Sequence, residues 1–292
     1  ASPPTMLVLT IYILIFTVGF PANVFTFITL LRKARRRLSP SDLLLLNLTG
    51  ADLLLLLFLP FKMAEAAAAM TWPLPIVLCP VANFCFYSSI YLSSLFLAAL
   101  SVERYLGVVF PHQYKDRRRL GRTLVASVVL WLLACSHCSI VFVAHYLGGT
   151  TQDVHHDSNS TPKCYDDFST TQLRFVLPLR LELFLVLFLL PFAITIFCYV
   201  TLVKVLLSRP NISKEKKQRA VGLAVATMVN FGVCFAPYNL SHLVGFVENQ
   251  SPPWRVYALL LSSFNAALDP LVFYFSSTAV QRAVAGVVVA LR

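Results

Sequence analysis

Hydrophobic residues in this chain come in long runs separated by short polar stretches. Seven such runs follow one another, roughly at 6–31, 41–67, 78–110, 122–147, 173–207, 220–247 and 254–275. Each is near or above the ~20 residues that a helix needs to cross a bilayer. The fifth is long and is expected to project beyond the membrane. A shorter amphipathic stretch, about 276–291, follows the seventh and reads as a helix lying along the membrane surface. The pattern predicts an all-α membrane protein: a single domain over 1–292, folded as a seven-transmembrane helix bundle with a short cytoplasmic amphipathic helix. One linker is not short. The segment 148–171 is polar, rich in Thr, Asp, His and Ser, and contains Cys164. It is the one expected outer segment large enough to fold over a site.

Composition agrees. Of the residues, 58% are hydrophobic and 13% charged, against roughly 25% charged in soluble domains. The first run is too long for a cleavable signal peptide and carries its basic cluster on the C-terminal side, so it reads as an uncleaved first span. The chain begins at Ala1 rather than Met, as a trimmed chain would.

A net charge of +11 invites a nucleic-acid reading, and the distribution of charge refutes it. Most Lys and Arg fall in three clusters, 32–37, 115–122 and 204–219, each after an odd-numbered run. The segments after even-numbered runs hold Asp153, Asp157, Asp166, Asp167 and Glu248 instead. Basic loops stay on the cytoplasmic side. The expectation is a multi-pass plasma-membrane protein with its N-terminus outside and its C-terminus inside. The basic loops then face anionic membrane lipid and a cytosolic partner.

Cys79, at the outer start of the third run, and Cys164 share the oxidising side, where a disulfide persists. The other five cysteines lie within runs. Cys135 and Cys138 form a CxxC, but inside a lipid-embedded helix without further ligands they read as small hydrophobes. Asn159-Ser160-Thr161 is a glycosylation sequon on the long outer loop. Sequons at Asn47, Asn211 and Asn239 fall in the membrane or the cytosol. The one at Asn249 hugs the membrane and precedes Pro252.

Polar groups inside spans are costly and usually functional. In order, the runs carry Asn23; Asp52; Ser93 with Glu103-Arg104-Tyr105; Trp131; Pro191 and Tyr199; Phe235 and Pro237; then Asn265, Asp269, Pro270 and Tyr274. One such set per span, in this order, resembles the rhodopsin-like G-protein-coupled receptors over essentially the whole chain. The resemblance implies an activation switch at Glu103, Arg104, Tyr105, Tyr199, Phe235, Pro237, Asp269, Pro270 and Tyr274. Arg104 would pair with Glu103 in one state and be released in another. Tyr199 and Tyr274 would turn inward as the bundle opens. The prolines remove backbone hydrogen bonds and kink their helices. It also implies that Asp52, Ser93, Asn265 and Asp269, with Asn23, surround an allosteric sodium ion, with no other cofactor or metal, and that Cys79 bonds Cys164. Three residues depart from the commonest family pattern: Glu103 replaces Asp, Phe235 replaces Trp, and Asp269 replaces Asn.

The outer half carries a cationic set. Arg180 lies in Leu177-Pro178-Leu179-Arg180-Leu181-Glu182, Arg255 starts the seventh run, and His242, His137 and Tyr87 lie at comparable depth. Two arginines near one apolar vestibule are relieved by an anion, and Arg bonds a carboxylate bidentately. These segments, together with 52–62, 86–91, 236–245 and 274–277, resemble the free fatty acid receptors, closest to those for short-chain carboxylates. Some stretches (Trp72 to Pro75, Leu95 to Ala99) are similar to one short-chain subtype and others (Tyr87 to Ile90) to its sister. The resemblance implies a carboxylate site at Arg180, Arg255, His242, Tyr87 and His137. It implies activation by acetate-, propionate- or butyrate-like anions, signalling through Gi/o and Gq heterotrimeric G proteins, and arrestin as a further partner. A longer fatty acid, a hydroxy acid or a lysophospholipid is the alternative ligand, since arginines alone do not discriminate these. A retinal-driven pump needs a lysine in the seventh run, and 254–275 has none. No inverted repeat of a transporter is visible. No nucleophile or metal-ligand spacing points to an enzyme.

Overall fold

A computed structural model describes residues 3–114, 119–148, 164, 168 and 170–292. The sequon at Asn159, the outer-loop acids and the basic residues 115–118 lie outside the described residues. Seven helices are long and apolar enough to cross a membrane: Pro4–Arg36, Pro40–Ala67, Leu78–Val109, Arg119–Tyr146, Thr170–Ser208, Lys214–Glu248 and Arg255–Ser276, called spans one to seven. An eighth helix, Thr278–Leu291, follows at once. No strand occurs among the described residues.

Several helices run past their hydrophobic limits because capping sets the ends. Ser39 accepts from the amide of Asp42 ahead of Pro40, starting span two after a very short turn. Ser213 accepts from the amide of Lys216, so span six begins within the basic cluster rather than at its apolar run. Ser277 caps the eighth helix in the same way, accepting from Val280.

Span three is the axis of the bundle. Its apolar window is 83% buried, against 28% for spans one and four. Small residues let neighbouring backbones approach. Ser89 donates to the carbonyl of Ala51 on span two at 2.5 Å, and Ser94 donates to the carbonyl of Leu187 on span five at 3.4 Å. Spans five and six each contain a wide turn, Leu183–Leu189 and Asn230–Phe235, placed just before Pro191 and Pro237. A proline lacks the N–H that would close the preceding turn, and the widened turn absorbs the misfit. Span seven is interrupted at Phe264.

The two ends of the bundle differ. At one end Cys79 and Cys164 form a disulfide with Cα atoms 5.8 Å apart, packed under Trp72, Phe58 and Phe61. The described residues of the basic clusters, 32–37, 119–122 and 204–219, gather at the other.

Candidate functional site

Toward the disulfide end, Arg180 and Arg255 are buried, at 2% and 3% exposure. Arg180 lies just before the wide turn of span five, and Arg255 is the first residue of span seven. Both line one small cavity with Tyr87, Tyr91, Tyr238 and His242, over an apolar floor of Cys138, Ile140, Val141 and Leu183. Its volume is about 10 Å³, far below the roughly 300–1,000 Å³ of sites for drug-sized ligands, so the side chains close on one another around very little free space.

The donors converge. Arg180 Nη1 donates to Ser251 Oγ at 3.2 Å, and its guanidinium lies 5.2 Å from the Phe168 ring. Arg255 Nη2 donates to the Tyr238 hydroxyl at 3.3 Å. Its guanidinium lies 5.3 Å from the Tyr87 ring and 5.4 Å from the Tyr238 ring. His242 Nε2 shares a hydrogen bond with the Tyr91 hydroxyl at 2.7 Å. Tyr238 stacks on Tyr87, with ring planes 4° apart, and meets the His242 ring edge-on. Two guanidiniums, an imidazole and three phenols give the cavity the chemistry that suits an anion: among its lining residues every charged group is a cation, and every cation is a donor.

Four of the five residues expected here are brought together. His137 is not among the lining residues. Its Nε2 lies 2.9 Å from Glu182 Oε1 and its Nδ1 2.8 Å from the carbonyl of Leu133, in a separate groove between spans four and five. The next residue, Cys138, takes the inward position, since one step along a helix turns a side chain by about 100°. Tyr91 and Tyr238 were missed. Both were visible as helical neighbours: Tyr91 lies four residues after Tyr87, and Tyr238 four before His242, on the same faces.

Midway along the bundle, Asp52, Asp269, Asn23, Asn265 and Ser93 are all fully buried. Ser93 donates to Asp52 Oδ1 at 2.9 Å, and the Asp52 and Asp269 carboxyl groups are close neighbours. Asn230 donates to Asp269 Oδ1 at 2.9 Å. Asn23 ties span one to the Ala266 carbonyl at 2.9 Å, and Asn265 donates to the Ser262 carbonyl. Five buried oxygens of this cluster have no hydrogen-bond partner among the described residues: Asn23 Oδ1, Asp52 Oδ2, Asn230 Oδ1, Asn265 Oδ1 and Asp269 Oδ2. An all-oxygen set with two carboxylates fits a hard cation. Asn230 was not singled out in the sequence, although an amide inside an apolar run is itself a signal.

At the basic end, the expected Glu103–Arg104 pair does not form. Glu103 pairs with Arg119 at the start of span four. Arg104 turns the other way and donates from Nη2 to the carbonyl and hydroxyl of Ser276 at 2.5 and 2.6 Å. Tyr105 packs on Phe110 and Phe197. Arg104 and buried Tyr199 line a cavity of about 590 Å³ with Arg209, Lys216, Arg219 and Phe275. Phe235 is fully buried against Phe231, which stacks on Phe192 and so links spans five and six below the anion cavity. Tyr274 does not join this group. It is 40% exposed on the outward face, while Phe273, three residues after Pro270, is fully buried.

The family model for the 7 transmembrane receptor (rhodopsin family) matches residues 22–273. The chain belongs to this family. It is a multi-pass plasma-membrane receptor rather than an enzyme, and its partners as a class are a ligand and a heterotrimeric G protein. Free fatty acid receptor 3 of Mus musculus is 50% identical over 272 residues, covering 93% of this chain and 83% of that one. Free fatty acid receptor 2 of Mus musculus is 51% identical over 278 residues, covering 95% and 83%. Free fatty acid receptor 1 of Macaca fascicularis is 36% identical over 276 residues, covering 92% and 91%.

Proposed function

We propose that this receptor is activated by short-chain fatty acid anions of the acetate, propionate and butyrate class. The observation that carries the reading is the pair of buried guanidiniums, Arg180 and Arg255, sharing one small cavity with His242 and Tyr87. The two Arg forks take the carboxylate oxygens, each charge-assisted bond contributing ~1.5–3 kcal/mol. His242 and the phenols complete the shell. Cys138, Val141 and Leu183 wall the cavity closely, which supports a short tail over a long one. For an anion as small as acetate, the ceiling of about 1.5 kcal/mol per non-hydrogen atom limits binding to about 6 kcal/mol, tens of micromolar at best. The names of the relatives support a free fatty acid ligand.

The distribution of basic residues supports an extracellular N-terminus and disulfide end, and a cytoplasmic C-terminus. Ligand acts by preferring one arrangement of the bundle. The anion draws spans five, six and seven together around the arginines, and Pro191 and Pro237 let their opposite ends move. The cavity at Arg104 then receives the G protein, of the Gi/o and Gq classes, and later arrestin, with the basic loops resting on membrane lipid. Asp52 and Asp269, with Ser93 and Asn265, hold a sodium ion that offsets the charge of Asp52. Asn159 carries a glycan.

The test is Arg180→Ala and Arg255→Ala, measured as propionate-driven G-protein activation at matched surface expression. Either substitution is expected to abolish the response. A normal response in both would end the carboxylate assignment.

A further inference from the structure

Spans two and three hold a third buried cation close to the anion cavity. Lys62 is 7% exposed, five residues short of the disulfide end of span two. A lysine near a helix end ordinarily snorkels outward to water. This one turns inward. Its Nζ donates to Asn83 Oδ1 at 2.5 Å and lies 3.9 Å from Glu65 Oε2. It also lies 5.2 Å from the centre of the Phe86 ring and 5.6 Å from that of Tyr87.

Tyr87 is the link to the site. The same ring that receives Lys62 also receives the Arg255 guanidinium, at 5.3 Å. It stacks on Tyr238, to which Arg255 donates. Asn83 and Tyr87 are one helical turn apart on span three, so Lys62 spans both positions on one face. Asn83 in turn donates to the carbonyl of Cys79, the disulfide residue. The Tyr87 ring is therefore held from the side of span two by one cation, and it presents its π-surface to another that faces the ligand.

We propose that Lys62 is a positioning residue of the carboxylate site: it fixes the Tyr87 ring, and through it the Arg255 fork, without touching the ligand. The inference rests on the carboxylate reading given above. Lys62 lies beyond Tyr87 and away from the apolar floor, so its effect falls equally on all short acids. It changes the concentration needed and not the maximal response.

The test is a double-mutant cycle on propionate potency, read with surface expression. Lys62→Met is expected to raise the half-maximal concentration about tenfold, equally for acetate and butyrate, with the maximal response kept. Lys62→Arg is expected to restore potency to within about twofold, since the cation–π contact survives. Lys62→Met with Glu65→Gln removes both charges, leaves no unpaired carboxylate, and is expected to give the same shift. In a Tyr87→Leu background, Lys62→Met is expected to add nothing. Additive losses, an undiminished potency, or a shift that depends on acid length would overturn the assignment. If the unsubstituted receptor ignores propionate, or Arg180→Ala still responds, the carboxylate reading fails and this inference with it. If those controls hold and the cycle is additive, the inference fails alone.

Discussion

Arg104 on span three donates to the backbone carbonyl of Ser276, the last residue of span seven, at 2.5 Å. Its neighbour Glu103 faces the opposite way and pairs with Arg119. The two charges that adjoin in sequence therefore clamp different partners: one ties span three to span seven, the other to span four. Removing Arg119 would leave a 6%-exposed carboxylate without its ion partner, and breaking a buried pair on one side costs about 3–5 kcal/mol. Arg119→Ala is thus expected to lower the thermal unfolding midpoint in detergent clearly. Arg122→Ala, at an exposed position on the same helix, is expected to change it little.

Span six approaches span seven at Gly222. A Cβ there would come within 2.6 Å of the Phe275 ring, closer than real Cβ contacts allow, so the ring must swing or the spans must part. Both lie at the basic end, and Phe275 lines the Arg104 cavity. Gly222→Ala is expected to raise ligand-free G-protein activation several-fold. Adding Phe275→Leu is expected to relieve the contact and return activity toward the starting level. Unchanged basal activity in both variants would contradict the contact's importance.

The neighbouring carboxyls of Asp52 and Asp269 predict an ion dependence. Propionate potency is expected to differ between sodium and an equal concentration of a bulky organic cation. Asp52→Asn removes one of the two charges that bind a cation, and the difference is expected to vanish in that variant. A sodium effect that persists in it would move the ion elsewhere.

The disulfide joins residues 85 positions apart. A loop of that size is worth about 3–5 kcal/mol when the unfolded chain is a free coil. In a membrane the helices persist after tertiary structure is lost, so the constraint counts for less. Replacing Cys79 and Cys164 together by Ser is expected to lower the unfolding midpoint modestly and weaken propionate potency more, because Asn83 and Tyr87 lie at the same end of span three as Cys79 and Lys62 of span two bonds Asn83. Potency unchanged in the double variant would contradict this coupling.

Position along each helix was legible in the sequence; rotation about each helix was less so. The seven runs gave the spans because only an apolar helix of this length satisfies its backbone in lipid. Charge asymmetry gave each loop its expected side. Arg180, Arg255, His242 and Tyr87 were placed at comparable depth and assigned by resemblance, and they meet. The misplacements are angular. His137 was expected where Cys138 stands; Glu103 faces Arg119 and Tyr274 faces outward in this arrangement, where the expectation was a Glu103–Arg104 pair in one state only and a Tyr274 that turns inward as the bundle opens. Each depends on which side of a helix its neighbours cover, a property of packing that a single run of apolar residues does not encode. Phe273→Ala is accordingly expected to cost about 3–5 kcal/mol of stability, and Tyr274→Phe to be nearly silent in stability. The reverse order would put Tyr274 back in the interior.

The most direct measurement is G-protein activation in cells expressing this chain, against unbranched carboxylates from acetate to dodecanoate, with Arg180→Ala alongside. The two-arginine cavity predicts a response confined to the shortest acids, strongest in the high-micromolar to millimolar range, and absent in the variant. A response that appears only with the long acids, or one that survives Arg180→Ala at equal surface expression, would contradict it.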